Sequence, residues 1–236
     1  MPNDFFRFKR FTIRQDRCAL KVGTDGVLLG AWTDYRGARR ILDIGTGTGV
    51  LALIAAQRNG KAQVEAVELD PASAQQAREN VAESPWQRRV QVHEADIRNW
   101  KPDHLFDLIL CNPPFYKDHP ASSDSRAAKA RHEGTLDLEA LVQAIDRLGT
   151  GTVRASLILP LHRLDELEDV AGRMGLSAMR RCVVHHVPHK PAKRALVELA
   201  RREKGDAAQE ELVIHDGQGG YTWAYRALLE DLELDF

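Results

Sequence analysis

The stretch Phe106 to Phe115, FDLILCNPPF, restricts the fold more than any other part of the 236-residue chain. The run Leu108 to Cys111 has no polar face, the mark of a strand covered on both sides. Such strands belong to parallel sheets between two helical layers. Pro113 and Pro114 cannot donate to a sheet ladder, so pairing must stop at Asn112. Open parallel sheets bind ligands outside the carboxyl ends of their strands. An amide (Asn112), a stiff backbone carbonyl (Pro113) and an aromatic ring (Phe115) are therefore expected together at such an end.

Those groups suit one kind of reactant. The lone pair of an aromatic or amide NH2 is delocalised, which makes the nitrogen a poor nucleophile. Two acceptors aimed at its two N–H bonds, the Asn112 side-chain oxygen and the Pro113 carbonyl, favour a pyramidal nitrogen whose lone pair faces an electrophile. Phe115 can stack on the ring carrying the amine, at roughly 1 to 3 kcal/mol per stacked base. This geometry asks for a methyl donor nearby.

Elsewhere strands and helices alternate. Arg40 to Gly49, RILDIGTGTG, reads as a buried strand running into a glycine loop, with a helix opening over Val50 to Gln57. The spacing is GxGxG, with Val50 where a dinucleotide fingerprint has its third glycine, so a nucleoside is favoured over a pyrophosphate. Val64 to Leu69 forms a second strand, and Glu68 at its end can accept both hydroxyls of a ribose. Asp70 before Pro71 starts a helix to Glu83. Val90 to His93 gives a third strand, after which Asp96 can accept from an adenine amino group while Ile97 covers the ring.

Beyond the NPPF strand, Tyr116 to Gly134 is long and polar, and reads as a substrate-ordered flap whose Arg126 and Arg131 meet phosphates. Helices over Leu136 to Leu148 and His162 to Met174 flank a strand at Val153 to Leu159. Leu176 to Val187 and Arg194 to Ala200 read as closing strands, and their short join makes them antiparallel. Residues 5 to 14 suggest a strand or hairpin with a cationic face, and Gly23 to Gly26 cap a helix over Val27 to Trp32. The tail reads as a strand at Leu212 to His215, a GQGG turn and a helix from Thr222 to Leu232. The expectation is one α/β domain with a Rossmann-like, mostly parallel seven-stranded sheet, one antiparallel strand and helices on both faces. Its parts are an extension (1–36), a core (37–203) and an appendage (204–236).

Composition narrows the function. Net charge is −1, which argues against coating nucleic acid by charge alone. The charge is uneven, however: residues 1–21 hold six Lys/Arg against Asp4 and Asp16, and residues 180–204 hold eight against Glu198 and Glu203. Lys190, Lys193 and Arg194 in the second segment read as contacts to an RNA backbone. No apolar run approaches the roughly 20 residues that span a membrane, and the N-terminus lacks the apolar core and cleavage site of a signal peptide. The location implied is the cytoplasm. Three widely spaced cysteines suggest reduced thiols, and His185, His186 and His189 lack acidic or thiol partners at metal-ligand spacing, so no metal is expected.

Taken together, the glycine loop, Glu68, Asp96 and NPPF resemble class I S-adenosylmethionine-dependent methyltransferases that act on amino groups. The segments DRCALKVGTDGVLLGAW (Asp16 to Trp32), RAAKARHEGTLD (Arg126 to Asp137), HKPAKR (His189 to Arg194) and YTWAYRALL (Tyr221 to Leu229) narrow the resemblance. They are similar to the bacterial tRNA(Val) adenosine-37 N6-methyltransferase family. The resemblance implies S-adenosylmethionine as cofactor and the anticodon stem-loop of tRNA as partner. It also implies a class I methyltransferase fold and assigns the residues. Asp43, Gly45, Thr46, Gly47 and Gly49 hold the methionine end, Glu68 and Leu69 the ribose side, and Asp96 and Ile97 the adenine. Thr24 and Asp25 close over the sulfonium. Asn112, Pro113, Pro114 and Phe115 orient the target, Asn112 also lining the cofactor site. An rRNA guanine or adenine methyltransferase and a protein glutamine N5-methyltransferase share NPPF. The glutamine enzymes carry a helical substrate domain for which some forty preceding residues are too few.

Overall fold

The computed structural model describes residues 4–18, 20–113, 136–201 and 205–233. Strands β1 (Phe5–Arg7) and β2 (Thr12–Arg14) form an antiparallel hairpin. Helix α1 (Thr24–Trp32) follows, and then β3 (Arg40–Ile44), α2 (Val50–Arg58), β4 (Gln63–Glu68), α3 (Pro71–Ala82) and β5 (Val90–Glu94) alternate. The second half contains β6 (Phe106–Cys111), α4 (Leu138–Leu148), β7 (Gly149–Pro160), α5 (Leu164–Arg173), β8 (Leu176–His185), β9 (Arg194–Arg201), β10 (Ala208–Val213) and α6 (Trp223–Leu229). Among the described residues, no helix is long and apolar enough to cross a membrane.

The main sheet has the order β10-β8-β9-β7-β6-β3-β4-β5. Strand β9 runs antiparallel to β7 and β8, and every other pairing is parallel. The short join between β8 and β9 allows nothing else. The sheet has eight strands, one more than the seven expected, because β10 adds to the edge beside β8. The tail strand also lies earlier than Leu212 to His215, since its sequence AQEELV is mostly exposed and carries no strand alternation. Cross-strand polar partners hold it instead: Glu210 accepts from Arg180 Nε at 2.9 Å and from Trp32 Nε1 at 2.8 Å. The tail helix is shorter than expected, at Trp223–Leu229.

Two apolar layers cover the sheet. On one side α1, α2 and α6 share a core with the hairpin residues Phe8, Phe11 and Ile13, and on the other α4 and α5 pack over β6, β7 and β9. Leu108, Ile109 and Leu110 in β6 are wholly buried, each contributing about 1.5 to 3 kcal/mol of burial. Strand β3, central between β4 and β6, marks where the strand order reverses, and the crevice at such a point is the usual ligand site.

Helix α1 is apolar almost all round, with Gly26 to Trp32 buried, as expected of a helix enclosed by neighbours. Its approach to α2 depends on Gly30, where a Cβ would lie 2.8 Å from Ile54 Cγ2 and 2.9 Å from Ile54 Cδ1. Ile54 is fully buried and stiff at χ1, so it cannot yield cheaply. Gly30→Ala gains up to about 1 kcal/mol in helix propensity but overpacks the interface at a cost of about 1 to 3 kcal/mol. Urea denaturation should show a net loss of stability; a gain would mean that α1 draws back freely from α2.

Candidate active site

The glycine loop after β3 is shaped by backbone conformations that glycine alone adopts easily. Gly45, Gly47 and Gly49 have φ of +69°, +54° and +86°, in the left-handed region where a Cβ is costly. Gly49 also caps α2 close to Ala77, whose Cβ would lie 3.4 Å from a Cβ at position 49. Backbone bonds fasten the loop to β4: the Gly45 and Thr46 N–H groups donate to the Val67 carbonyl at 2.9 and 3.2 Å.

Two carboxylates complete the loop. Glu68 Oε2 accepts from the Gly47 N–H at 2.8 Å, and its Oε1 accepts from the Asp70 N–H at 3.0 Å. Burial pushes its pKa above the ordinary glutamate value, against those hydrogen bonds. Asp43 lies beneath the loop with no exposure. Its Oδ2 accepts from Thr46 Oγ1 at 2.5 Å and from the Ala52 N–H at 3.2 Å. Its other oxygen, Oδ1, is buried without a hydrogen-bond partner among the described residues. Desolvation, opposed by those two hydrogen bonds, pushes the Asp43 pKa from 3.8 up to about 7, and the nearby Glu68 charge adds to the rise. Asp43 and Thr46 thus hold the loop from below, while exposed Gly45 and half-buried Gly47 present its upper side.

Other expected positions gather around this loop. Leu69 is an apolar side chain left 44% exposed just past β4. Asp96 follows β5, but Arg98 already grips its carboxylate, with Nη2 to Oδ2 at 2.6 Å, and holds its pKa low. Ile97 is buried in the core beneath, and its carbonyl accepts from Arg147 at 2.6 Å. An adenine amine would share Asp96 with Arg98, and Ile97 has little free surface left for the ring.

Asn112 leaves β6 beside the first turn of α1. A Cβ at Gly26 would lie 3.5 Å from Asn112 Nδ2 and 3.7 Å from Val50 Cγ1. The amide nitrogen is the end nearest Gly26. Pro113 is buried. Pro114, Phe115 and the 116–134 segment with Arg126 and Arg131 lie outside the described residues. Thr24 and Asp25 open α1 at this rim.

The basic turn lies on the same rim, since β8 ends and β9 begins level with the end of β7. Lys190 and Lys193 are exposed and make no ion pair among the described residues. Arg194 is different: its Nε donates to Asp25 Oδ2 at 2.8 Å. His189 has a left-handed φ of +66°. His185 lies 3.1 Å from Glu211 and bonds the Lys190 carbonyl. Among the described residues, no group of three or more His, Cys, Asp or Glu side chains could hold a metal ion.

Some residues at the site escape sequence reasoning. Asn80, fully buried in α3, donates to the Thr48 and Arg14 carbonyls, each at 2.9 Å, and accepts from the Arg14 N–H at 2.8 Å. It ties the N-terminal segment to the glycine loop. Cys18 in that segment sits near Glu68, Asp70 and Ser73, and burial raises its pKa to about 11. Nothing in the local sequence marks either residue; Gly26 is visible there only as turn chemistry.

Comparison with known proteins adds sequence and fold relatives. A family model described as "Methyltransferase small domain" matches residues 22–131. A protein of Tolumonas auensis named tRNA1(Val) (adenine(37)-N6)-methyltransferase is 41% identical, over 99% of this chain and 98% of its own. One of the same name from Trichodesmium erythraeum is 41% identical over the full length of both chains. Among solved structures, a protein of Agrobacterium tumefaciens described as "a predicted O-methyltransferase" superposes with TM-score 0.67 at 23% identity, covering 88% of this chain and 96% of the other. A ribosomal protein L11 methylase from Lactobacillus delbrueckii gives TM-score 0.54 at 16% identity, covering 75% and 77%. These structural likenesses concern the fold.

The Asp43 carboxyl has a consequence for stability. Its folded pKa exceeds its unfolded value, so between roughly pH 4 and pH 7 the folded state keeps a proton that the unfolded chain has released. This contribution therefore lowers stability as pH rises through that window. Chemical denaturation of Asp43→Asn should show a flatter decline from pH 5 to pH 7 than the unaltered protein; identical slopes would mean that Asp43 is ionised throughout.

Proposed function

The chain belongs to the tRNA1(Val) (adenine(37)-N6)-methyltransferase family, and on that premise we propose that it methylates N6 of adenosine 37, in the anticodon loop of tRNA(Val), from S-adenosylmethionine. One observation supports this most: Asn112 and Pro113 leave the sheet beside the glycine loop, where the strand order reverses. A target amine and a methyl donor are thereby directed to neighbouring strand ends. The reaction belongs to the cytoplasm, where tRNA is modified.

The residues fit the cofactor. Asp43 and Glu68 are carboxylates made reluctant to ionise by burial, and a ligand bringing positive charge and hydroxyl donors relieves that cost. Both Glu68 oxygens accept backbone N–H groups, and a carboxylate with about four lone-pair sites keeps acceptor capacity for the ribose hydroxyls. Gly45 and Gly47 allow close backbone approach at the methionine end, Thr24 and Asp25 close from the α1 side, and Leu69 covers an apolar part of the nucleoside. S-adenosylmethionine supplies an electrophilic methyl group on its sulfonium sulfur.

The protein's part is to prepare the amine. Asn112 Oδ1 and the Pro113 carbonyl accept the two N–H bonds of N6, which draws the nitrogen out of conjugation with the purine. Phe115 is assigned to stack on the base. An anticodon-loop adenine is already partly unstacked, so extruding it costs less than flipping a duplex base. The ammonium formed by alkylation is strongly acidic and releases its proton without a dedicated base. Lys190 and Lys193, with Arg126 and Arg131, are assigned to the RNA backbone.

Two measurements test these roles. Asn112→Ala should leave S-adenosylmethionine affinity within a few fold by calorimetry while single-turnover methylation falls about 100-fold or more, in line with removal of an oriented polar group; undiminished turnover would refute the acceptor role. Replacing Lys190 and Lys193 together with Ala should weaken anticodon stem-loop binding and reduce the salt slope by roughly 0.7 for each phosphate that is no longer neutralised. If the slope does not change, the turn does not touch RNA.

A further inference from the structure

We propose that Arg194 is a positioning residue, its guanidinium holding the Asp25 carboxylate and so fixing the first turn of α1 against Asn112. The inference rests on the reading given under Proposed function. It departs from the sequence expectation, which places Arg194 with Lys190 and Lys193 on the RNA backbone.

Arg194 has a rigid base. It is the first residue of β9, with Pro160 of β7 on one side and Val184 of β8 on the other. Alternation along β9 directs Arg194, Leu196 and Glu198 to the sheet face that carries α1, whereas Ala195, Val197 and Leu199 face α4 and α5. Its side chain rises from that face to meet Asp25 at 2.8 Å across 169 positions of sequence. Lys190 and Lys193, by contrast, make no ion pair among the described residues.

Helix α1 has need of such an anchor. Its buried surface is apolar, and it includes Gly26, Gly30 and Ala31. Apolar burial is non-directional, so it holds the helix in its layer without setting where its end stops. The far end is fixed by polar bonds: Trp32 Nε1 donates to Glu210 at 2.8 Å, and Arg180 lies over the Trp32 ring at 4.3 Å. At the rim the Gly23 cap supplies no side-chain bond to the helix. The described polar tie there is Asp25 to Arg194, and a charge-assisted bond to a planar guanidinium is directional. One residue further along, Gly26 leaves just enough room for Asn112, whose Nδ2 would lie 3.5 Å from a Cβ at position 26. A shift of α1 at this point moves Asn112 and the residues assigned to close over the sulfonium.

A misplacement near 1 Å can cost about 100-fold in rate, so the test reads kcat against binding. Arg194→Ala should lower kcat by about 10- to 100-fold, with stem-loop affinity and its salt slope within twofold of the unaltered protein. Asp25→Asn, which keeps shape and removes charge, should match it, and the double variant should be no slower than the worse single one. Arg194→Lys should recover part of the rate, which also covers failure of the alanine variant to fold. The proposal is overturned if kcat is unchanged in Arg194→Ala. It is equally overturned if that variant lowers the salt slope by roughly 0.7 while Asp25→Asn does not, because Arg194 would then touch RNA. Absence of methylation by the unaltered enzyme would instead overturn the parent reading.

Discussion

The carboxylate of Glu68 joins two strand ends that must stay in register for the site to exist. One oxygen takes the Gly47 N–H of the loop after β3, and the other takes the Asp70 N–H at the start of α3. Asp43 holds the same loop from beneath through Thr46 and Ala52. The loop is thus shaped before any ligand arrives, which lowers the ordering cost of binding. The arrangement has an electrostatic cost, since burial disfavours ionisation of both acids, and the charges of Glu68 and Asp70 add to it at Asp43 and Glu68 respectively. Positive charge or hydrogen-bond donors brought by a ligand would lower that cost, so the way the loop is held bears on what it can bind as much as what lines it.

The other half of the site depends on a helix rather than a loop. Asn112 is fixed on one side by β6, buried except at half-buried Asp107, and on the other lies beside Gly26 of α1. Because α1 is wrapped by α2, α6 and the sheet, packing holds it in its layer, with Gly30 leaving the room that Ile54 fills, while the polar ties at its two ends set where it stops. The tail and the N-terminal hairpin contribute to that layer through Tyr225, Leu229, Phe8 and Phe11. Segments remote from the chemistry therefore act on it through one helix.

The parts of this arrangement legible in the sequence are those written locally. Two prolines stopping an apolar run, glycines at alternate positions and an acid ending a strand each act within a few residues. What stays hidden depends on contacts between distant segments. Strand β10 has no alternation because its edge is held by Arg180 and Trp32, and nothing near Arg194 announces a partner 169 residues away. Asp43 reads as a ligand contact because its place in the motif does not reveal depth; only the packed loop shows it fully buried. Asp96 is the local exception: Arg98 two residues on occupies its carboxylate, and the pairing of neighbouring charges depends on side-chain conformation, which the sequence does not give.

The charged edge strand and short tail helix gain a purpose from where they touch the basic turn. The Ile214 and His215 N–H groups donate to the His185 and His186 carbonyls at 2.9 and 3.0 Å, so the chain beyond β10 continues the ladder alongside the turn. Rings extend the same support inward: His186 to His215 at 4.7 Å, His215 to Tyr221 at 4.6 Å and Tyr221 to Tyr225 at 4.9 Å, ending in a tyrosine that is 3% exposed. A turn carrying two exposed lysines and a left-handed His189 would lose more conformational freedom on being ordered by a ligand if nothing in the fold held it. Braced by an aromatic column that reaches the core, it holds its charges on the rim where Asn112 and the glycine loop also lie. The appendage thus braces the basic turn as Glu68 braces the glycine loop: in each case order is established within the fold, which lowers the cost of ordering on binding.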